Sequence, residues 1–211
     1  MEREQNRPSL FPMFLKLEGR LCLVVGAGRI AEGKIASLLA AGAQVRVVAP
    51  RATSTVERWA QAEEIVWLPR KFSATDLNGV FLCIAATSQV EVNERVFRQA
   101  KRCGALCNAV DDPERCDFYY PAVVRRGDLQ IAISTAGRSP ALAQRLRREL
   151  ELQFGPQYQS FLDELGLQRR KLLRDSDAER KRRRMHALAS RRAFERFVSG
   201  NAVRKAGGNF K

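Results

Sequence analysis

The run Gly26-Ala27-Gly28-Arg29-Ile30-Ala31 constrains this chain more than any other stretch. It follows the apolar segment Leu21-Cys22-Leu23-Val24-Val25 and leads into a stretch from Ala31 to Ala41 with helical character. The spacing is G-x-G-x-x-A, the turn between the first strand and first helix of a dinucleotide-binding fold. Gly26 turns the backbone sharply, Gly28 removes the side chain that would stand where a pyrophosphate lies, and Ala31 lets the helix approach the sheet. The N–H groups that open the helix then aim at the phosphates. The same residues fit a strand–turn–helix that binds nothing, but the strand before and the helix after favour a nucleotide.

The pattern continues as alternating strands and helices. Gly42-Ala43 stops the first helix, Gln44 to Ala49 reads as a second strand, and Pro50 breaks it. A helix is predicted over residues 53–62 and a short strand over 65–68. Val80 to Ala86 is almost continuously apolar, as a central parallel strand covered on both faces requires. Thr87-Ser88 then opens a helix reaching about Arg102, and residues 106–110 form the next strand. This alternation predicts an α/β fold, a Rossmann-type doubly wound parallel sheet.

Beyond it, residues 118–124 and 129–134 read as a hairpin turning through Arg125-Arg126-Gly127-Asp128. Ser139-Pro140 is a helix start: the serine oxygen caps free N–H groups and proline suits the first helical position. Leu142, Leu146, Leu150 and Phe154 give that helix an apolar stripe, and Gly155-Pro156 ends it. A further helix, from about Tyr158 to Leu173, carries Phe161, Leu162, Leu165 and Leu172 on one side. The expected division is a nucleotide-binding domain over 1–113, a small dimerisation and substrate region over 114–150, and a C-terminal helical domain with a basic tail over 151–211. The extreme end, around Gly207-Gly208, is expected to be poorly ordered.

Charge is concentrated in that tail. The chain carries a net +14, of which residues 168–211, with 15 Lys/Arg and 4 Asp/Glu, supply +11. Arg180-Lys181-Arg182-Arg183-Arg184 lacks interleaved aromatics, so a solvated helix face is favoured over a nucleic-acid site. The chain has 5 cysteines without a C-x-x-C pair and 1 histidine, which argues against a closed zinc site and for a reducing compartment. The charged start Met1-Glu2-Arg3-Glu4-Gln5 has no apolar leader, and no apolar run is long enough to span a bilayer. A soluble, cytoplasmic protein without a membrane partner is expected.

Open α/β sheets bind their ligands at the C-terminal ends of strands. The loops that qualify are Gly26 to Ile30, Pro50-Arg51, Thr87-Ser88 and Asp111-Asp112-Pro113. The second strand does not end in the acidic residue that holds a ribose 2′-OH in many NAD enzymes. Backbone groups hold the ribose instead, or Arg51 meets a 2′-phosphate, or Arg51 is surface charge; sequence does not choose. Asp111, one residue past a buried strand, is the candidate working carboxylate, with a plain Asp-Asp-Pro turn as the alternative. His186, the only histidine, lies in the basic tail, so a His-based mechanism in the folded core is excluded.

Taken in order, Phe14 to Arg20 with Val25 to Gly28, Val47-Val48-Ala49-Pro50, Ala85-Ala86-Thr87, Cys107 to Asp111, and Ser134 to Pro140 resemble the precorrin-2 dehydrogenase and sirohydrochlorin ferrochelatase family, the N-terminal module of siroheme synthases. The resemblance covers roughly residues 11–175. It implies oxidation of precorrin-2 to sirohydrochlorin with NAD, and several members also insert ferrous iron as a substrate. It places Gly26, Gly28, Arg29, Ile30, Pro50, Arg51 and Thr87 against the dinucleotide, with NAD favoured at the second loop, and makes Asp111 the catalytic residue; it assigns no resident metal ligand. It also implies a homodimer whose second domain and C-terminal helices help to enclose the tetrapyrrole. Thr135 stands where some siroheme synthases carry a modifiable serine, so that feature is not transferred.

Such a substrate is rich in carboxylates, and Arg125, Arg126, Arg138 and Arg145 suit it electrostatically. Phe118, Tyr119 and Tyr120 are candidates to lie against the macrocycle or to pack in the core. Two rivals stand beside this reading. One is a dehydrogenase without chelatase activity. The other is a nucleotide-sensing regulatory module whose tail binds nucleic acid, which would leave the later motifs without a purpose.

Overall fold

The computed structural model describes residues 10–173 and 177–207. It falls into two compact units that meet in sequence at Tyr120 and Pro121.

In the first unit the elements run β1 (Leu21–Val25), α1 (Arg29–Ala40), β2 (Gln44–Val48), α2 (Ser54–Gln61), β3 (Ile65–Leu68), a 3₁₀ turn (Ala74–Leu77), β4 (Leu82–Ala85), α3 (Val90–Cys103) and β5 (Leu106–Ala109). The strands are all parallel, in the order β3-β2-β1-β4-β5. This is the doubly wound sheet expected from the alternating pattern. β1 is central, and its alternation feeds two cores. Cys22 and Val24 face the layer holding Ala31, Ile35 and Leu38 of α1, while Leu23 and Val25 face the layer holding Val96 and Ala100 of α3. Cys22, Leu23, Val24, Cys83, Ile84 and Cys107 have no exposed surface, which explains why these strands read as unbroken apolar runs. Burial also pushes the Cys22 thiol up to about 11, so it behaves as a small apolar residue.

The register sets the site. Val25, at the end of β1, is level with Val48 of β2 and Ala85 of β4. After β1 the chain winds out through β2 and β3, then returns to the other side of β1 as β4. That reversal opens a crevice at the strand ends.

One ion pair, with its carboxylate buried and its guanidinium half exposed, anchors the β3–β4 connection. The Asp76 carboxylate is 3% exposed and receives both Arg70 guanidinium nitrogens, at 2.9 and 2.6 Å, and the Ser73 N–H at 2.8 Å. Its pKa is lowered, chiefly by the Arg70 hydrogen bond. The folded state therefore binds this proton more weakly than the unfolded chain, whose carboxyl titrates near ~3.9. The stabilisation is fully present above that value and is lost as pH falls through the lowered native pKa. Thermal melts of wild type and Asp76→Asn should differ at pH 7 and converge towards pH 3; a constant gap would contradict this role.

Several boundaries differ from the sequence-based expectation. α1 begins at Arg29 rather than Ala31, with Gly28 as its cap. α3 begins at Val90 rather than at Thr87-Ser88, because the Thr87 hydroxyl is turned onto Asn93. Phe118 to Pro121 are not strand. Asn108 Nδ2 donates to the Phe118 carbonyl at 2.8 Å, and Phe118 packs against the sheet core, so this stretch is tied back to β5.

In the second unit, β6 (Ala122–Arg126) and β7 (Leu129–Ile133) form an antiparallel hairpin turning at Gly127-Asp128. The turn is shorter than expected because the strand runs on through Arg126; Gly127, at φ +59, supplies the left-handed backbone. α4 (Pro140–Gln153) starts as its sequence predicts, with the Ser139 Oγ accepting from the Leu142 N–H at 3.2 Å. Arg126 closes its far end, donating to the carbonyls of Phe154 at 2.7 Å and Glu151 at 3.0 Å. Its guanidinium is thus committed to α4. α5 (Gln157–Leu172), α6 (Ala178–Leu188) and α7 (Arg191–Gly207) follow. Phe161 is buried beside the rings of Phe194 and Phe197, and Tyr158 stacks on Phe194 at 4.2 Å between centroids. His186 is exposed on α6. Gly208 and the residues after it lie outside the described residues, as does the expectation about their order. No helix among the described residues is long and apolar enough to cross a membrane.

Candidate functional site

The ends of β1, β2, β4 and β5 open onto one cavity of about 980 Å³. That volume is at the upper end of the roughly 300–1,000 Å³ common for small-molecule pockets. Gly26, Gly28, Arg29, Ile30, Pro50, Arg51, Thr87 and Asp111 all line it. The fold thus gathers residues up to 85 positions apart in sequence, Gly26 to Asp111, onto one wall.

The two glycines of the first turn differ in what they do. Gly26 has φ +109, and a Cβ built there would lie 2.3 Å from the Ala86 carbonyl oxygen. Only glycine lets β1 and β4 sit this close while the backbone turns. Gly28 has an ordinary φ of −86, and a Cβ there would meet nothing within 4 Å. Its missing side chain serves the open cavity rather than the packing. No side chain caps α1, so the N–H groups of its first turn are left for an anion. These features fit a dinucleotide pyrophosphate.

Thr87 is held rigidly at the end of β4. Its hydroxyl donates to Asn93 Oδ1 at 2.7 Å, and its carbonyl accepts from Asn93 Nδ2 at 3.0 Å. Asn93 is buried, so this pairing fixes the loop at that edge of the cavity. Arg51 lies at the mouth, beyond Pro50.

Asp111 is distinguished from the neighbouring aspartates by what it does not do. Asp112 is bound to Arg115, and Asp117 accepts the Cys107 N–H at 2.9 Å. The Asp111 carboxylate has no hydrogen bond or salt bridge among the described residues, and it is exposed to the cavity. Its backbone is left-handed, at φ +62. Aspartate tolerates that region better than most residues, and strain of this kind concentrates at functional sites.

Sequence reasoning missed Lys71, Phe72, Gln89, Val92 and Arg95, which also line the cavity. Arg95 donates to the Phe72 carbonyl at 2.9 Å and lies over its ring at 5.5 Å. Lys71 and Phe72 follow β3 as Pro50 and Arg51 follow β2, so the strand-end rule would have found them. With Arg29 and Arg51, Lys71 and Arg95 make the wall cationic around the single carboxylate of Asp111, a setting suited to a phosphate-bearing ligand. No cluster of potential metal ligands occurs among the described residues.

The family model described as "Putative NAD(P)-binding" matches residues 13–122, and the model for the siroheme biosynthesis protein central region matches residues 126–153. The siroheme synthase of Photorhabdus laumondii is 35% identical over 195 residues, covering 92% of this chain and 42% of that protein. That of Neisseria meningitidis serogroup C is 45% identical over 141 residues, 67% of this chain and 29% of that protein. The chain therefore spans well under half the length of these relatives. A solved structure titled SirC, precorrin-2 dehydrogenase, superposes with a TM-score of 0.74 at 27% identity, covering 90% of this chain and 98% of that one. The chain belongs to the putative NAD(P)-binding family, with a match to the central region of siroheme biosynthesis proteins directly after it.

Proposed function

We propose that this chain is an NAD-dependent precorrin-2 dehydrogenase, producing sirohydrochlorin for siroheme. The observation that carries the reading is the cavity itself. It joins a glycine turn open for a pyrophosphate to an unengaged carboxylate, Asp111, in a chain that matches a precorrin-2 dehydrogenase over nearly its whole length.

Bound NAD supplies the hydride acceptor. Gly28 and the first turn of α1 hold its phosphates, Pro50 and Arg51 flank its adenosine end, and Thr87 with Asn93 shapes the loop beneath the nicotinamide end. Asp111 receives the proton that leaves the tetrapyrrole as the hydride departs. The reading includes a homodimer in the cytoplasm. It leaves the basic face of α6 solvated, with Arg183 paired to Glu179 at 2.6 Å.

The contrast between the glycines gives a direct test of the nucleotide site. Gly28→Ala has open space for its methyl group, so its melting temperature should stay within a few degrees of wild type. The methyl group would stand in the pyrophosphate path, and the NAD dissociation constant should rise by about tenfold or more, one lost contact of ~1.4 kcal/mol or greater. Unchanged affinity in a folded variant would remove Gly28 from the cofactor site.

The function is tested by incubating anaerobic precorrin-2 with the protein, with and without NAD, and recording sirohydrochlorin absorbance. Formation that requires both supports the assignment; none with either NAD or NADP overturns it. Adding ferrous iron then separates two forms of the enzyme. A protein-dependent rise in siroheme marks one that also inserts iron, with Asp111 accepting the displaced pyrrole protons. Its absence marks a dehydrogenase that passes its product on.

A further inference from the structure

Ile30, on the cavity wall, and Lys34 are one turn apart on the same face of α1. That face is bare at this point: Ile30 is 57% exposed, and a Cβ built at Gly33 would meet nothing within 4 Å. The Lys34 ammonium lies 3.4 Å from the centroid of the Tyr120 ring. It is half-buried and has no carboxylate within salt-bridge distance among the described residues. Burial lowers its pKa, while the nearby charges of Asp111 and Cys116 act to raise it. A cation partly stripped of water, braced on an aromatic ring and touching no carboxylate is a poor stabiliser of the fold. It is a ready-made receptor for an anion.

We infer that Lys34, braced by Tyr120, is a substrate-anchoring residue that binds a carboxylate of the tetrapyrrole beside Asp111. The inference rests on the dehydrogenase reading above. It answers a difficulty in that reading, because a polyanionic substrate must bring its reacting edge up to Asp111, itself an anion. Lys34 offsets that repulsion at the point where it arises, and it fixes which edge of the macrocycle faces the carboxylate. Of the arginines that line the cavity, Arg51 flanks the adenosine end of the dinucleotide and Arg95 donates to the Phe72 carbonyl at 2.9 Å. Arg126 is spent on α4, and Arg145 is paired with Glu149 at 3.4 Å.

The test compares Lys34→Met, which keeps the apolar stem on Tyr120 and removes the charge, with Lys34→Arg, which keeps the charge. Three quantities are measured: steady-state turnover of precorrin-2 with NAD, sirohydrochlorin binding without NAD, and NAD binding alone. Lys34→Met should raise KM for precorrin-2 and the sirohydrochlorin dissociation constant by about tenfold, as expected for one charge-assisted contact. Its kcat should stay within about twofold and its NAD affinity should be unchanged, and Lys34→Arg should recover most of the loss. Unchanged KM and binding in Lys34→Met, against an active wild type, overturns the anchoring role alone. A fall in kcat with KM unchanged also overturns it, since Lys34 would then serve Asp111 rather than the substrate. A wild type that neither binds nor converts the tetrapyrrole overturns both this role and the reading beneath it.

Discussion

Asp111→Asn should reduce kcat for precorrin-2 oxidation by about 10²–10⁴, the usual contribution of a positioned general acid or base. Asparagine is the informative replacement. The backbone at this position is left-handed, at φ +62, and asparagine adopts that region as readily as aspartate, whereas alanine would add strain. The side chain makes no hydrogen bond or salt bridge among the described residues, so the melting temperature should hold within a few degrees. NAD affinity should also hold, because the proposed phosphate contacts are the backbone at Gly28 and the first turn of α1, which this substitution leaves unchanged. A substitution that abolishes turnover while leaving fold and cofactor in place isolates proton transfer. Near-wild-type turnover in Asp111→Asn would contradict the catalytic assignment. A joint loss of NAD binding would mean the residue shapes the cofactor site instead.

Gly26→Ala should fail differently, through the fold. The added methyl group would fall 2.3 Å from the Ala86 oxygen and 2.7 Å from its carbon. Those are backbone atoms of the neighbouring strand end and cannot rotate away. The residue would also be forced to hold φ +109, which non-glycine residues resist. Overpacking and backbone strain each cost about 1–3 kcal/mol, so a combined loss of about 2–6 kcal/mol is expected. For a chain of this size that lowers the melting temperature by roughly 4–24 °C. A Gly26→Ala protein with wild-type stability would show that β1 and β4 part easily at this end. The pair of glycine variants thus separates the two roles of one motif, structural at Gly26 and ligand-facing at Gly28.

The sheet was legible because its strands are buried on both faces. Cys22 to Val25 and Leu82 to Ala85 read as unbroken apolar runs, and the glycine turn marked the first strand–helix step. The cavity wall was legible wherever one rule applied, that ligands gather at strand ends, and it was missed where the rule was not carried through to Lys71 and Phe72 after β3. Arg95, on the wall, and Lys34, one turn from Ile30 of the wall, were beyond that rule. Both sit on helices, and their positions depend on how α1 and α3 turn against the sheet. The hairpin was misjudged for a related reason. Phe118-Tyr119-Tyr120 has the composition of a strand, but it is held elsewhere: Phe118 by Asn108 and the core, Tyr120 under Lys34. Likewise, Thr87 delays α3 by turning its hydroxyl onto Asn93, a competition between side chain and backbone that local pattern does not reveal. Arg126, one of the arginines suited to an anionic substrate, donates to the Phe154 and Glu151 carbonyls, contacts that nothing in its neighbourhood in sequence points to.

The most direct measurement is the stoichiometry of one anaerobic reaction, in which NADH and sirohydrochlorin are followed together as precorrin-2 is consumed by this protein. Removing a hydride and a proton from each substrate molecule predicts that the two products rise in step, one for one, and that neither rises without the protein. NAD bound at the cavity with no NADH formed would contradict the dehydrogenase, leaving a nucleotide-binding module whose task lies elsewhere.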